Sequence, residues 1–563
     1  MNNWLEGIPA LLFVVLMGSG IVLTAWRGNR PLSVAEWLGW SWLAGTAAIS
    51  VLLALVGPLI QSPMLVLLIC VAAVCSGVLA WILARIRPGL AWFPVEAATW
   101  EKWLALVPLA AMAWVFSQAF AGPLYSDALL IWEFKARAAF LNGGYVPPTL
   151  FSDASRVALH PGYPLYLPLS ELWVYLWLGE CDQTTVKVLF PPFYFAAACL
   201  LWGGVSRMTG CLWAGVVAAT IPIFIPELSA NGAVLDGYAD YPLGVFYLAA
   251  IVAVLLPRDE ESFGQWFLAA GAAAMLPWIK QEGILLWMSF AIVTDIVCGA
   301  RRWRTALWTV LPGALVMAAW KLITRHLAVP PEMTFLPVSA STMPQAISRI
   351  GSVANYFLQE LGKWESWSLL WVLAIPAMAC LALRKTKGIA LIAAIILPLV
   401  LDLVPYLFTR LDLNWHLQNS CTRLVLHSAL TAVLALGVVL VPCSAKAKDK
   451  RVEPEVTKEP DVAEPVAAEK PVEAEEPVVE EQPVVEEQPV VEEQPVVEEQ
   501  PVVEEQPVVE EQPVVEEQPV VAEPVAGQEL HSPEESTQKD PAGEMSKSPP
   551  KNEKPPEQMS LPL

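Results

Sequence analysis

Charged residues are scarce in this chain of 563 residues, and they are unevenly distributed. Only 16% of the residues are charged and 55% are hydrophobic, which exceeds what a soluble protein needs for its core. Residues 1–443 carry almost no net charge, and the overall charge of −21 arises from residues 444–563. The acidic balance therefore describes the tail, and it does not exclude an anionic ligand for the first part.

Three familiar sequence signals are also missing. The nine cysteines show no Cys-x-x-Cys spacing, and most of them are interpreted as small buried hydrophobic residues. No Gly-rich nucleotide loop occurs, which agrees with a lipid-linked donor rather than a nucleotide donor. Arg27 and Arg30 follow the first apolar run instead of preceding it, so this run is predicted to be a permanent span rather than a signal peptide.

Long apolar runs dominate residues 1–443. A helix needs about 20 apolar residues to cross a bilayer core of about 30 Å. About thirteen runs approach this length: 8–26, 37–60, 64–84, 103–121, 186–206, 210–227, 241–256, 266–279, 281–298, 306–324, 367–383, 388–408 and 424–442. The sequence therefore predicts an all-α, polytopic transmembrane bundle, with leading helices in 1–102 and a core in 103–443.

Basic residues predict the orientation of these spans. When the spans alternate, most Lys and Arg residues between them fall on one face, which is typical of the cytoplasm. The amino terminus is then outside, the tail is cytoplasmic, and three polar stretches face outward: 122–185, 325–366 and 409–422. Within the first stretch, 128–141 is predicted to be an amphipathic helix on the membrane surface, with Lys135 and Arg137 on its polar side.

The tail is predicted to be disordered over residues 444–563. From Pro477 to Gln518 the hexapeptide PVVEEQ repeats about seven times, and its proline blocks both helix and regular sheet. High net charge and few aromatic residues leave too little apolar surface for folding. We expect a solvated polyanionic extension without catalytic chemistry.

Two polar blocks lie in the first outer stretch. Asp127 follows the fourth span, where the reacting group of a lipid-linked substrate would lie, although it is also placed to cap the following helix. His160 begins the segment HPGYP, whose prolines and glycine impose a fixed turn before the chain re-enters the membrane. A purely structural role remains the alternative for both residues.

Two further blocks lie at the outer ends of later spans. Asp236 and Asp240 are four residues apart, and they are candidates for binding a cation or a sugar hydroxyl, with helix capping as the competing explanation. Lys280 and Glu282 lie between two apolar runs, where they pair or line a phosphate pocket. The last span adds two candidates to this pocket, Arg423 and His427.

Five segments occur in a fixed order: SDALLIWEFKARAAFLNGG, HPGYPLYLP, GYADYP, WIKQEG and WHLQNSCTRLVLH. From about Pro123 to His427, this order resembles the bacterial members of the GT-C superfamily of integral-membrane glycosyltransferases, among the relatives of the dolichyl-phosphate-mannose–protein mannosyltransferases. The first three spans and the tail are outside the resemblance. The first large outer loop follows the fourth span here, whereas in the simplest family pattern it follows the first.

The resemblance implies transfer of a sugar from a polyprenyl-phosphate donor to a hydroxyl of a glycan, lipid or protein acceptor, outside a bacterial cytoplasmic membrane. Asp127 occupies the place of the catalytic base, and Lys280, Arg423 and His160 are candidates for the donor phosphate. Asp236, Asp240 and Glu282 are candidates for substrate or a divalent metal, while Lys135, Arg137 and His427 are further candidates. No cofactor is firmly predicted, membrane lipids are expected partners, and no nucleic acid is expected.

Two other classes of protein remain open. A transporter or flippase for a lipid-linked or small solute equally explains many spans with buried polar groups, although no similarity between two halves is evident. A membrane scaffold that acts through its repeat tail would leave the polar outer blocks unexplained.

Overall fold

The computed structural model describes residues 4–26, 31–86, 90–119, 123–229, 237–256, 263–332 and 334–442. Within these ranges the regular structure is helical, and the only strand-like pairings are the isolated bridges Ser33–Ala91 and Phe335–Thr409. The all-α fold class is therefore confirmed. The repeat tail and Asp236, for which predictions were made, lie outside the described residues.

The first half of the chain forms eleven described α-helices. They are α1 Trp4–Ala25, α2 Val34–Val56, α3 Ser62–Ile86, α4 Thr99–Leu104, α5 Leu106–Gln118, α6 Phe134–Leu141, α7 Pro148–Ser152, α8 Tyr166–Leu178, α9 Pro191–Thr209, α10 Leu212–Thr220 and α11 Pro226–Ser229. Shorter helical turns lie between them: a π-helix at Ala128–Glu133, and 3₁₀ turns at Ala154–Leu159, Thr185–Leu189 and Ile221–Phe224.

The second half forms ten described α-helices and one 3₁₀ turn, Ala300–Arg302. The α-helices are α12 Asp240–Leu255, α13 Phe263–Ile279, α14 Gly283–Cys298, α15 Trp303–His326, α16 Met343–Leu361, α17 Trp364–Trp367, α18 Leu370–Ala382, α19 Lys385–Leu401, α20 Val404–Leu407 and α21 Leu413–Val439.

Among the described residues, seven helical segments are long and apolar enough to cross a membrane: Trp4–Ala25, Val34–Val56, Ser62–Ile86, Thr185–Thr209, Ala300–His326, Lys385–Leu407 and Leu413–Val439. Several of the other predicted runs form shorter apolar helices, including α12, α14 and α18. Proline interrupts some of the runs, because its missing N–H and fixed φ break the helical ladder. At Pro222, for example, the run 210–227 changes from α10 to a 3₁₀ turn.

The stretch 122–185, predicted to be polar, contains an apolar helix. Its α8 is apolar and almost wholly buried, and the Trp173 Nε1–H donates to Ala10 O of α1 at 3.1 Å. With 13 residues, α8 is too short to span a bilayer, so its sequence is not among the apolar runs that were predicted to be spans.

Residues 128–141 are helical as expected, but the predicted polar face is wrong for Lys135. This segment begins as a π-helix and continues as α6. Lys135 is fully buried, as is Trp132, whereas Arg137 is exposed. Long charged side chains are rarely buried without partners. The partner of Lys135 is the backbone carbonyl of His160, which a local sequence pattern does not show.

The leading helices pack directly on the rest of the bundle. Gly39 of α2 lies against Cys199 of α9, where an added Cβ would come within 2.9 Å of the Cys199 Cβ. At the start of α2, the Glu36 carboxylate accepts hydrogen bonds from Arg207 Nε at 2.5 Å and Nη2 at 2.7 Å. Residues 1–102 therefore share one compact unit with the core.

Helix α12 lies at the centre of this unit. Every residue from Asp240 to Leu255 is buried, and α12 packs against α9, α13, α14 and α21. A helix that is apolar all round is typical of the interior of a large bundle. Asp240 is therefore held at the first position of the most enclosed helix.

Candidate functional site

Asp127 and Arg423 form the most accessible part of the site. Arg423 Nη1 donates to Asp127 Oδ2 at 2.6 Å, and each side chain is about one third exposed or less. Asp127 stands at the start of the π-helix, but its side chain makes no capping hydrogen bond. The carboxylate is therefore directed to Arg423, and the capping explanation does not hold for this residue.

Arg423 is also aligned by an aromatic ring and keeps one donor free. Its guanidinium lies 5.3 Å from the centre of the Tyr238 ring, within the range of a cation–π contact. Its Nε–H is buried and has no hydrogen-bond partner among the described residues. A buried guanidinium N–H without a partner costs free energy, and an anion placed against it would remove that cost.

Behind this pair, Lys280 connects two carboxylates. Its Nζ lies 2.8 Å from Asp240 Oδ1 and 3.1 Å from Glu282 Oε1. Ala239 occupies the N-cap position of α12, and the Asp240 carboxylate is hydrogen-bonded to Lys280 and His427. Lys280 occupies the short connection between α13 and α14, as the interrupted apolar pattern predicted. The ammonium is nearly buried and already neutralised, so it is not a free phosphate ligand.

His427 continues the chain of charges into the bundle. Its Nε2 lies 3.0 Å from Asp240 Oδ1, and its Nδ1 lies 3.7 Å from Asp402 Oδ2. All three side chains are essentially buried. Neither oxygen of Asp402 has a hydrogen-bond partner within the described part of the chain. A buried carboxylate in this state needs a proton or a nearby cation.

His160 lies beside this cluster rather than inside it. Its Nδ1 is 2.9 Å from Glu332 Oε2, and its ring stacks on Tyr163 at 4.7 Å between centres. The backbone of His160 adopts a left-handed conformation, with φ of 49°, and Tyr163 N–H donates to His160 O at 3.0 Å. The predicted fixed turn is present, and it presents Tyr163 toward the charges of Glu282 and Arg423.

The side chain of Lys135 stabilises this turn. Its Nζ donates to His160 O at 2.7 Å and lies between the rings of Trp132 and Tyr163. Burial lowers the pKa of Lys135 to about 7, and the nearby Glu332 opposes that decrease. Burial also raises the pKa of Tyr163 well above its usual range, so its hydroxyl is neutral. Lys135 is therefore a structural support for the site and has no open face toward a substrate.

Arg137 is not brought to the cluster. It is exposed, and its charge acts instead on Glu133, a buried carboxyl that accepts a hydrogen bond from Tyr175 OH at 3.0 Å. The predicted Asp236 lies outside the described residues, so its pairing with Asp240 is untested. Over the described ranges, no three His, Cys, Asp or Glu side chains are arranged to hold a metal ion.

Asp402, Glu332 and Tyr163 complete the site, although none of them was among the predicted residues. Asp402 was placed inside an apolar run, where its charge is a signal that sequence reasoning could have used. Glu332 lies in the polar stretch 325–366 with several other charges, and its contact with His160 spans 172 residues of chain. No pattern in the sequence shows such a contact.

The assembled site holds more carboxylates than cations. Asp127, Asp240, Glu282 and Asp402 face the positive charges of Arg423 and Lys280, with His427 between two of the acids. The outer part offers a carboxylate beside a guanidinium, suited to proton removal next to an anion. The inner part offers a buried series of acid and base groups.

No protein-family model matches this chain, and no curated protein or solved structure matches it.

Proposed function

We propose that this membrane protein is a glycosyltransferase that moves a sugar from a polyprenyl-phosphate donor to an acceptor hydroxyl. The observation that carries the proposal is the Asp127–Arg423 pair, in which a partly exposed carboxylate adjoins a guanidinium with an unused N–H. Such a transfer needs a group that accepts the acceptor proton and a group that stabilises the departing phosphate. Asp127 and Arg423 can supply these two groups, and their side chains are hydrogen-bonded to each other.

The proposed reaction is a single displacement. Asp127 takes the proton of the acceptor hydroxyl while that oxygen bonds to the anomeric carbon. The bond from the anomeric carbon to the phosphate oxygen breaks, and the phosphate leaves with the electron pair. Arg423 donates hydrogen bonds to the charge that develops on that oxygen. Attack opposite to the leaving group inverts the anomeric configuration.

Binding of the donor would also prepare the base. In the structure, Arg423 Nη1 donates to Asp127 Oδ2 at 2.6 Å, so this carboxylate oxygen is engaged by the guanidinium and is not available to an acceptor hydroxyl. A donor phosphate is a second anion for the same guanidinium. When it binds to Arg423, Asp127 is released toward the acceptor, so the base becomes effective only when donor is present.

The arrangement in the membrane follows from the proposed orientation. About thirteen spans would place the amino terminus and this site outside a bacterial cytoplasmic membrane, with the tail in the cytoplasm. The prenyl chain would enter sideways from the bilayer, and the acceptor would enter from outside. The acceptor is a glycan, a lipid or a protein.

The decisive experiment compares cells that lack the protein with cells that carry Asp127→Asn. Mass spectrometry measures surface glycans and polyprenyl-linked sugars in both strains. Loss of the same sugar and accumulation of the same donor in both strains supports the proposal. An altered glycan in the deletion strain alone would reject Asp127 as the base.

A transporter is the second candidate, and the buried series Lys280–Asp240–His427–Asp402 favours it. Ionisable groups inside a transmembrane bundle commonly form proton pathways. Reconstituted liposomes under a proton gradient distinguish the two functions. Proton-coupled uptake that Asp402→Asn abolishes would favour transport, whereas transfer that survives Asp402→Asn without uptake would favour the transferase.

A further inference from the structure

Helix α16 carries an apolar surface that the protein does not cover. Met343, Ile347, Ile350 and Leu358 are spaced by three, four or eight residues, which places them on one side of a helix. We name these four side chains the outer stripe. All are exposed, with Ile347 at 62% and Leu358 at 69%. An exposed apolar row of this length is unfavourable in water.

A separate face of α16 fastens the helix to the protein. Val353 packs in a small core with Tyr406, Leu417 and Leu424, and Phe357 is buried nearby. Arg349 Nη1 donates to Thr409 O at 2.7 Å. The helix is therefore fixed in orientation, and the outer stripe is exposed because of that orientation.

Further exposed apolar side chains follow the outer stripe in the chain. Trp364 and Leu369 follow α16 in the chain and are exposed, and so are Val372 and Ile375 of the apolar helix α18. Tryptophan is enriched at the boundary between membrane and water. The third side of α16 is uncharged and polar, with Ser348, Ser352 and Asn355. This is the pattern of a helix that lies in the plane of an interface.

We infer that the outer stripe of α16 lies in the interface of the bilayer and binds phospholipid acyl chains. The inference is independent of the proposed transfer reaction, since it uses none of the charged site residues. It also has a consequence for the site. Thr422 Oγ1 donates to Glu360 Oε1 of α16 at 2.8 Å, so the helix seated on lipid supports the residue next to Arg423.

The test uses the full chain in lipid nanodiscs that hold one molecule each. A fluorescent amino acid is incorporated at Ile347 or, as the matched control, at Ser352, both of which are exposed. Phospholipids brominated near the headgroup or deep in the acyl chain quench a fluorophore that contacts them. Iodide in the buffer quenches a fluorophore that is open to water.

The expected result is strong quenching by bromine at position 347, greatest for bromine about 5–10 Å below the headgroups, with iodide acting mainly at position 352. Equal quenching at the two positions would overturn the inference. Protection of position 347 from both quenchers would also overturn it, because a protein partner rather than lipid would then cover the stripe.

Discussion

Asp127 and Arg423 are separated by 296 residues of chain, and their side chains meet at 2.6 Å. The contact joins the start of the stretch 122–185 to the last described helix. This pair lies at the solvent-accessible side of the charged cluster. An anionic ligand that binds the Arg423 guanidinium must compete with the Asp127 carboxylate. We therefore expect substitution of either residue to change ligand binding at this pair.

Replacement of Asp127 by Asn tests the base. The carboxamide still accepts a hydrogen bond from Arg423, so the fold should persist, but it cannot hold the acceptor proton. We expect the transfer rate to fall by about 10²-fold or more. The matched control is Asp153→Asn, since Asp153 is an acid of the same outer segment that caps a 3₁₀ turn. Equal rates in the two variants would contradict the assignment.

Replacement of Arg423 by Lys tests donor binding. Lysine keeps the positive charge but lacks the fork of N–H groups that holds phosphate. Because a hydrogen bond to a charged group contributes about 1.5–3 kcal/mol, we expect the KM for donor to rise by about 10- to 100-fold. Arg349→Lys, which alters a guanidinium bound to backbone carbonyls, is the control. An unchanged KM would place the phosphate elsewhere.

Replacement of Lys280 by Met tests the buried ion pair. The change leaves the Asp240 carboxylate buried without its main partner, and we expect the free energy of unfolding to fall by about 3–5 kcal/mol. Adding Asp240→Asn should restore part of this loss. Arg156→Met is the control, because its pair with Asp153 is exposed and screened by water and should contribute little to stability. Thermal unfolding in detergent measures all of these variants.

Lys135 predicts a pH dependence of stability. Its pKa is about 7 in the folded protein, against an ordinary value of 10.5. Between these two values the unfolded chain binds more protons than the folded chain, so stability rises with pH across this window. Below about pH 7 both states are protonated, and the penalty is then fully present and constant.

The measurement for Lys135 is the melting temperature of the protein and of Lys135→Met from pH 6 to pH 10. Relative to the variant, the protein should gain stability as the pH rises above about 7. Parallel profiles for the two proteins would show that Lys135 does not titrate in this range.

Removal of residues 447–563 tests the role of the tail. The repeat contains no group suited to the proposed chemistry, so transfer in membranes should remain close to normal. The measurement is transfer activity at matched expression. Complete loss of activity would assign the tail a part in the reaction.

The sequence predicted the helical class and most residues of the site, because both depend on local signals. Long apolar runs identify spans, and a charge at the end of such a run is costly enough to be noticed. That is why Asp240, Lys280 and Arg423 were found. Pairing of Lys280 with Glu282 was one of two predicted alternatives and is present, whereas the second contact of Lys280, with Asp240, was not predicted.

Other features depend on contacts that no local pattern records. Helix α8 is short and buried, so it does not resemble a span. Lys135 lies at a position that looked solvated, and only the fold reveals that a turn and two aromatic rings enclose it. Asp402 is acidic within an apolar run, and its significance depends on His427 standing beside it.

Helix α21 supplies both Arg423 and His427, and it is the last described helix in chain order. During synthesis, α12 to α19 must enter the membrane before it. For that interval Asp240 and Asp402 lack His427, and Asp127 lacks Arg423. A nascent chain that stalls before α21 therefore lacks these charge contacts, a difference by which membrane chaperones and proteases can distinguish an unfinished molecule from a complete one.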